Sequence, residues 1–322
     1  MRIKGSILAL AIPFVLSAQV TELHLASDIW PPFTNDGQEN AFAQMLVEEA
    51  LRRSDVDVRT SITDFNAVIK GLKDQTYDGS AALWHSEERA AFLTYSDPYL
   101  ENRLVLIGKK GTDVSAASLD ELAGKKIGIV GDYEYGEDLI FSSNTAPIFI
   151  PGGSDQDNLS KLLGDEIDYM LVDDLLIQYV LTHQGEEAKM YIEVGTNAML
   201  VRALHFAVRK DLEGGDELIK GFNEHIDDMV VDGTYNTVLD LNWIRHDVDG
   251  DGQMELVYGG GGAPSSNGYS VFQNPNDDTK DDGYWVNGKK YYNWDDVPEE
   301  ERLQSDYNEA LKEEGFTYKF KF

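Results

Sequence analysis

Cysteine is absent from all 322 residues of the chain. Without it the chain can form no disulfide bond and can carry no lipid-modified cysteine after an export signal. Basic residues are also scarce, because 27 lysines and arginines stand against 58 aspartates and glutamates, for a formal net charge of −31. A surface this acidic repels nucleic acid and anionic lipid, which excludes both as partners.

Long apolar runs are missing beyond the first residues of the chain. Residues 7–16 are apolar, with Arg2 and Lys4 before them and small Ala18 shortly after them. Ten residues are too few to span a bilayer comfortably, whereas this order of charge, apolar run and small residue is typical of a secretory signal peptide. We therefore expect residues 1–18 to be cleaved near Ala18, leaving a periplasmic protein that does not span the membrane.

One stretch carries most of the functional information, and it reads YDGSAALWHSEERAAFLTYSDPY over residues 77–99. Small and apolar residues 79–83 predict a short buried strand, and a helical start with an acidic first turn follows. Arg89 therefore lies where a strand ends and a helix begins, the edge at which open α/β sheets bind ligands. Its guanidinium can bind a carboxylate through two hydrogen bonds. A surface ion pair with Glu87 or Asp97 is the alternative.

The order Ser86-Glu87-Glu88-Arg89 followed by Tyr95-Ser96-Asp97-Pro98-Tyr99 resembles the family 3 extracellular solute-binding proteins, the periplasmic receptors of polar amino acid ABC transporters. The resemblance extends from about Glu22 to Trp243. It implies an α/β chain with the two-lobe periplasmic-binding-protein type II fold. It also implies a monomer that closes by hinge motion over a small polar, amino-acid-like ligand and delivers it to an ABC transporter permease.

The resemblance further implies which side chains bind the ligand. The arginine at the Arg89 position holds the α-carboxylate in that family, and an aspartate at the Asp173 position takes the ammonium group. Trp30 and Phe65 match aromatic positions that cover and underlie the ligand, and Trp84 is expected to stack with them. Trp30 could instead anchor its loop, and Asp173 could instead cap the next helix, with Asp174 the first choice for that cap.

Asp132 departs from the family pattern. It follows the glycine that ends a predicted strand, where family members tend to have a serine or threonine that donates to the ligand carboxylate. A carboxylate there repels another carboxylate unless a cation or a rearranged ligand intervenes. Asp132 is nevertheless included among the expected ligand-binding residues.

The predicted elements divide the chain into five segments. Residues 1–18 are the signal peptide, residues 19–108 and 205–243 form lobe 1, and residues 109–204 form lobe 2. Residues 244–258 form a calcium-binding loop, and residues 259–322 form a linker and an aromatic carboxy-terminal appendage. Two crossing segments, residues 103–108 and 198–206, are the predicted hinge between the lobes.

Carboxylates crowd the loop HDVDGDGQME, residues 246–255. Oxygens at alternating positions with a glycine at the sharp turn match the spacing that wraps one Ca²⁺ ion. The expected ligands are Asp247, Asp249, Asp251, Gln253 and Glu255. A strand is predicted at Leu256 to Tyr258 where an EF-hand would have a helix, so the loop resembles those of FG-GAP repeats. A solvated acidic turn is the alternative.

Taken together, the sequence predicts a binding protein rather than an enzyme. The first alternative is an enzyme on the same fold, such as a cyclohexadienyl dehydratase, with His85 or Asp132 as its acid. The second is a sensory or interaction protein that uses the lobes without transport. The aromatic tail, with an Asn287-Gly288 hairpin signature, could be an ordered appendage or a docking surface.

Overall fold

The computed structural model describes residues 20–36, 41–131, 133, 135, 147–239, 241–260, 269–270, 281–302 and 320–322. The predicted signal peptide lies outside these ranges. Within them, every helix is too short or too polar to cross a bilayer.

The first part of the chain alternates strands and helices. Its elements are β1 (Glu22–Ser27), α1 (Phe42–Arg53), β2 (Asp57–Ile62), α2 (Phe65–Lys73), β3 (Gly79–Trp84), α3 (Glu87–Ala90), β4 (Leu93–Tyr95) and β5 (Leu100–Lys109). Helix α2 starts directly after Asp64, whose carboxylate caps it by accepting hydrogen bonds from the amides of Asn66 and Ala67 at 3.0 and 3.4 Å. All six residues of β3 are buried, which confirms the predicted strand before Arg89.

The second part repeats this alternation. A 3-10 helix (Leu119–Leu122) precedes β6 (Lys126–Val130), β7 (Ile148–Gly152), α4 (Asp155–Leu163), β8 (Tyr169–Asp173), α5 (Asp174–Tyr191) and β9 (Ile192–Arg209). The Asp173 carboxylate caps α5 by accepting from the amides of Leu175 and Leu176. The prediction that Asp174 makes this cap is therefore wrong by one residue.

One nine-stranded sheet joins both parts. Its strand order is β2-β1-β3-β9-β5-β8-β6-β7, with β4 paired to β9 at one side. Strands β1, β2 and β3 are parallel, as are β6, β7 and β8, whereas the central pairs with β9 and β5 are antiparallel. Because the strands of each parallel set point the same way, their carboxyl ends meet at one edge of each lobe.

The two long strands β5 and β9 connect the lobes. They pair along their length, but the register shifts between Leu104 and Val105 and again before Ile107. On β5 both irregularities fall inside the predicted segment 103–108, whereas on β9 the second lies between Val194 and Ala198, before the predicted segment 198–206. An irregularity of this kind disrupts the ladder locally and bends the strand that carries it.

Helices α6 (Gly215–Asp232) and α7 (Thr234–Val238) return to lobe 1, and a separate sheet follows. Gly233 ends α6 in the left-handed region, with φ of 82°. The second sheet contains β10 (Trp243–His246), β11 (Met254–Tyr258), β12 (Tyr269–Ser270), β13 (Asp281–Val286) and β14 (Lys289–Tyr291), in the order β12-β10-β11-β13-β14.

This second sheet, which we call the tail sheet, has two different faces. Trp243 and Tyr258 point into a small aromatic core of its own. Ile244 and Val257 belong instead to the large core cluster, and the Asn236 side-chain amide of α7 donates to the Val257 carbonyl oxygen at 2.9 Å. Neighbouring residues of a strand face opposite sides, so the tail sheet is fixed on lobe 1 by one face. The predicted Asn287-Gly288 hairpin is confirmed, since both residues have positive φ between β13 and β14.

Candidate functional site

A pocket opens at the carboxyl ends of the strands of lobe 1. It is narrow and open to solvent on one side. Its lining residues are Asp28, Trp30, Phe65, Ala82, Leu83, Trp84, Arg89 and Tyr133. The structure thus brings together Trp30, Phe65, Trp84 and Arg89, all four of which the sequence predicts as ligand-binding residues.

Each of these side chains is placed by the end of an element. Trp84 is the last residue of β3 and Phe65 the first of α2, whereas Trp30 lies in the loop after β1. That loop is pinned because the Trp30 amide donates to the Thr34 carbonyl oxygen at 2.9 Å and the Thr34 amide donates back at 3.0 Å. The Trp30 ring therefore has a fixed position over the pocket.

Arg89 supplies positive charge from one side. Its side chain is buried, Nη1 donates to the Trp84 carbonyl oxygen at 3.3 Å, and its guanidinium lies 5.1 Å from the centre of the Phe65 ring. Stacking on an aromatic face orients the planar guanidinium without using its donors. The sequence alternative of a surface ion pair for Arg89 does not fit its burial.

Asp28 supplies negative charge in the same pocket, and sequence reasoning missed it. Its carboxyl is half-buried, and burial raises its pKa to about 6, with the nearby Asp64 charge acting in the same direction. The Thr34 hydroxyl donates to the Asp28 carbonyl oxygen at 2.7 Å, which fixes its backbone. The signal available in the sequence is an acid directly after the first strand, two residues before the aromatic Trp30.

Tyr133 reaches the pocket from the other lobe, just after β6, and was also missed as a site residue. Its ring centre lies 5.3 Å from that of Trp30, 5.8 Å from that of Trp84 and 6.3 Å from that of Phe65. Tyr133 meets Trp84 and Phe65 at 76° and 68°, and Trp30 meets Trp84 at 86°, which is the edge-to-face arrangement that aromatic pairs favour. Residues of both lobes therefore form one aromatic box. Asp132, its sequence neighbour, lies outside the described residues.

The structure places Asp173 away from the pocket lining. Its carboxylate is buried, caps α5, and accepts from Asn102 Nδ2 at 2.8 Å. Burial and the neighbouring Asp174 charge raise the pKa of Asp173. Asp174 in turn accepts from Arg103 Nε at 2.8 Å. The capping alternative given for Asp173 thus describes its position, while Asp28 is the carboxyl that lines the same pocket as Arg89.

Asn102 connects Asp173 to the pocket. Trp84 Nε1 donates to Asn102 Oδ1 at 2.7 Å, and Asn102 Nδ2 donates to Asp173 Oδ2 at 2.8 Å. All three side chains are buried, and Asn102 is wholly inaccessible. This chain runs from an aromatic wall of the pocket, through hinge strand β5, to the first turn of a lobe 2 helix. His85, named for the enzyme alternative, is exposed and absent from the pocket lining.

The predicted calcium loop joins β10 and β11, with a strand after it as expected. Oxygens of Asp247, Asp249 and Glu255 lie within 4.8 Å of one another. Lys290 Nζ donates to Asp249 Oδ2 at 2.8 Å and to Glu255 Oε1 at 2.7 Å. The lysine lowers the pKa of Asp249, whereas burial raises the pKa of Glu255.

The side chains of Asp251 and Asp247 accept hydrogen bonds from backbone amides within the loop. Asp251 Oδ1 accepts from the Gln253 amide at 2.8 Å, and the Gly252 amide donates to Asp247 Oδ2 at 2.9 Å. Asp251 does not belong to the three-carboxylate group.

The chain is similar to a known protein family and to individual known proteins. Residues 23–246 match the family described as bacterial extracellular solute-binding proteins, family 3. A probable histidine-binding protein of Campylobacter jejuni is 25% identical over 215 residues, which cover 64% of this chain and 78% of that protein. The L-cystine-binding protein TcyJ of Escherichia coli is 25% identical over 224 residues, which cover 68% of this chain and 80% of that protein.

Solved structures share the fold. An ancestral arginine-binding protein bound to arginine is similar with a TM-score of 0.56 at 22% identity, covering 69% of this chain and 98% of that one. An arginine 3rd transport system periplasmic binding protein from Legionella pneumophila has a TM-score of 0.56 at 23% identity, covering 69% and 99%. The matched region ends near β10, so the tail sheet lies almost wholly beyond the family match.

Proposed function

The chain belongs to the bacterial extracellular solute-binding proteins, family 3, and from that premise we propose that it captures an amino acid in the pocket between its lobes. The observation that carries this proposal is the presence of Arg89 and Asp28 in one aromatic pocket. An amino acid carries a carboxylate and at least one cationic group, and the pocket offers one side chain of each opposite charge.

The roles of the two charged residues follow from their chemistry. The Arg89 fork binds the α-carboxylate through charge-assisted hydrogen bonds. Asp28, ionised at neutral pH despite its raised pKa, binds an ammonium or guanidinium group of the ligand. Around them Trp30, Trp84 and Tyr133 exclude water and add cation–π attraction for a positive side chain. A basic amino acid therefore forms more favourable interactions with this pocket than a neutral one does.

Closure brings the second lobe onto the ligand. Tyr133 is contributed by lobe 2, so the aromatic box is complete only when the lobes approach each other. Bending at the register shifts of β5 and β9 opens and closes the pocket. We propose that the closed form docks on an ABC transporter permease in the periplasm and releases the ligand without turnover. The relatives named for histidine and cystine binding support transport as the role.

A calorimetric titration with the common amino acids tests this proposal. We expect at least one of them, with arginine, histidine and lysine the first candidates, to bind the wild-type protein. Arg89→Ala should weaken that ligand about a hundredfold, because removing one partner of a desolvated charge pair costs about 3 kcal/mol. Arg59→Ala, on the exposed surface of β2, is the matched control and should bind as the wild type does.

Two outcomes would contradict the proposal. One is that none of the amino acids binds to the wild-type protein. The other is that Arg89→Ala retains full affinity for the ligand that the wild type binds.

We propose separately that the loop of residues 247–255 holds Ca²⁺. Support comes from the donor set, since carboxylate oxygens are the ligands that Ca²⁺ prefers, and Asp247, Asp249 and Glu255 converge there. The Lys290 ammonium already neutralises two of them, so Ca²⁺ has to displace this amine. The ion would then stabilise the junction between β10 and β11.

Thermal unfolding with Ca²⁺ or with a chelator tests the loop. At a concentration about a hundred times the dissociation constant, binding stabilises the folded state by about 2.7 kcal/mol. We expect a higher Tm with Ca²⁺, and expect Asp249→Asn to abolish the increase while Glu213→Gln, on an exposed loop, leaves it intact. An unchanged wild-type Tm in Ca²⁺ would rule out the site.

A further inference from the structure

The last three residues of the chain lie on lobe 2, although the tail sheet is fixed on lobe 1. Gln184 and Phe320 form a double hydrogen bond, in which the Phe320 amide donates to Gln184 Oε1 at 2.9 Å and Gln184 Nε2 donates to the Phe320 carbonyl oxygen at 3.0 Å. Gln156 and Lys321 repeat this pattern, at 2.8 Å from the Lys321 amide and 3.1 Å to its carbonyl oxygen. Two side-chain amides thus satisfy four main-chain groups.

The two glutamines hold opposite edges of the tripeptide. In an extended chain the N–H and C=O of one residue point to the same edge, and those of the next residue point to the other edge. Gln184 lies on α5 and Gln156 on α4, so the backbone of residues 320–322 passes between two helices. Each glutamine takes the place of a neighbouring strand, which is the way edge-pairing sites bind extended peptides.

The side chains follow the period of two expected of a strand. Phe320 is only 3% exposed and belongs to the buried apolar cluster of lobe 2 that includes Leu162 and Leu176. Phe322 packs against the same cluster, and its ring stacks on Tyr191 with centres 5.6 Å apart and planes at 9°. Lys321 between them is exposed. Main-chain bonds therefore give binding strength, and two aromatic side chains give selectivity.

Helix α5 is irregular at this contact. Its backbone leaves helical geometry at Gln184, where φ is −130° and ψ is 23°. The residue that interrupts the helix is the one whose side chain brackets Phe320. We call the surface formed by Gln156, Gln184, Tyr191 and the apolar cluster the tail groove.

We propose that the tail groove is a second binding site, distinct from the pocket, for an extended peptide segment of the pattern aromatic–any–aromatic. Its occupant is residues 320–322 of the same chain, bound in cis. A segment tethered to its own site has an effective concentration on the order of millimolar, so even a weak site stays filled. Because the tail sheet sits on lobe 1 through Ile244 and Val257, the filled groove makes the tail a third link between the lobes, beside β5 and β9.

A peptide-binding experiment on the full-length chain tests this proposal. The probe is a synthetic peptide with the sequence of residues 316–322, FTYKFKF, labelled at its amino terminus and followed by fluorescence anisotropy. The full-length Phe320→Ala variant vacates the groove and should bind the peptide at least tenfold more tightly than the wild type, whose groove is filled. A peptide carrying Phe320→Ala should lose binding, whereas one carrying Lys321→Ala should bind unchanged, because that side chain is exposed.

Gln184→Ala, added to the Phe320→Ala chain, should weaken the labelled peptide about tenfold. Arg89→Ala, a change in the pocket of the proposed function, should leave peptide binding unchanged in both the wild-type and the Phe320→Ala chain, which separates this test from that of the proposed function. Equal peptide binding by wild type and Phe320→Ala, or no binding by either, would overturn the proposal. So would a wild-type dimer that Phe320→Ala converts to a monomer, since the occupant would then be a second copy.

A measurement on the wild-type chain covers the case in which Phe320→Ala does not fold. The amide hydrogens of Phe320 and Lys321 are both bonded to glutamine oxygens and should exchange slowly with solvent. The Gln156→Ala, Gln184→Ala double variant should speed their exchange at least tenfold. Fast exchange in the wild type would show that the groove is empty and would contradict the proposal.

Discussion

At the scale of single residues, the charge balance of the pocket rests on one carboxyl and one guanidinium. Asp28 is buried enough for its pKa to rise to about 6, so it is mostly ionised at neutral pH and mostly neutral in mild acid. Arg89 supplies the positive charge of the pocket. The pocket therefore changes from nearly neutral to net positive as the pH falls, and a cationic ligand loses its partner.

The first prediction is that affinity for a basic amino acid falls with pH. Between about pH 8 and about pH 5 the Asp28 carboxylate is protonated with a midpoint near its raised pKa, so affinity should drop about tenfold toward the acidic end. Titration calorimetry at several pH values measures this. Asp28→Asn should bind weakly at every pH with no such slope, and a pH-independent wild type would contradict the role given to Asp28.

The second prediction concerns Asn102. Asn102→Ala leaves the Trp84 indole N–H and an Asp173 oxygen without their buried partner, at a cost of about 2 kcal/mol of folding free energy. It also frees the Trp84 ring, so ligand affinity should fall. Urea unfolding and calorimetry measure the two effects. Asn223→Ala, which removes a hydrogen bond to Asp97 on the surface, is the control. If both variants lost the same folding free energy and ligand affinity, the role given to the Trp84–Asn102–Asp173 hydrogen bonds would be wrong.

Local sequence was enough to predict some of these residues and insufficient for others. Arg89, Trp84 and Phe65 lie at strand and helix ends that short motifs predict. Tyr133 belongs to the other lobe, and only the packing of the two lobes brings it to the pocket. Asp28 was missed because the sequence offers many acids, and burial alone distinguishes the one that lines the pocket.

At the scale of elements, the strands before and after each site residue determine its position. The alternation of strands and helices, the cap at Asp64 and the Asn287-Gly288 hairpin could all be predicted, since each depends on neighbouring residues. The tail sheet could not, because β12 pairs with β10 and β13 pairs with β11 from distant parts of the chain. The sequence analysis predicts a loop and a separate appendage, whereas in the structure their described strands form one sheet fixed on lobe 1.

The third prediction tests that attachment. Val257 is buried between the tail sheet and lobe 1, so Val257→Ala should cost about 2 kcal/mol of folding free energy by leaving a cavity. The measurement is thermal or urea unfolding of the full chain. Val201→Ala, on an exposed part of β9, should change stability by less than about 0.5 kcal/mol. Equal stabilities of the two variants would show that the tail sheet is not packed as described.

At the scale of the whole molecule, two lobes share one sheet and one pocket. Lobe 1 provides Arg89, Asp28 and three aromatic rings, and lobe 2 provides Tyr133. The formal charge of −31 attracts cations toward the protein over a range set by the salt concentration. A cationic amino acid is therefore drawn to the molecule as a whole and then oriented by one guanidinium inside the pocket.

That orientation is tested most directly by a ligand pair that differs only in the carboxylate. Arginine and its decarboxylated analogue agmatine should be titrated into the wild type and into Arg89→Ala. If the calorimetric titration of the common amino acids identifies a different ligand, that amino acid and its decarboxylated amine take their place. Loss of the carboxylate should weaken binding to the wild type about a hundredfold and should make almost no difference to Arg89→Ala. The same carboxylate penalty in both proteins would show that Arg89 does not bind the carboxylate, and would contradict the account.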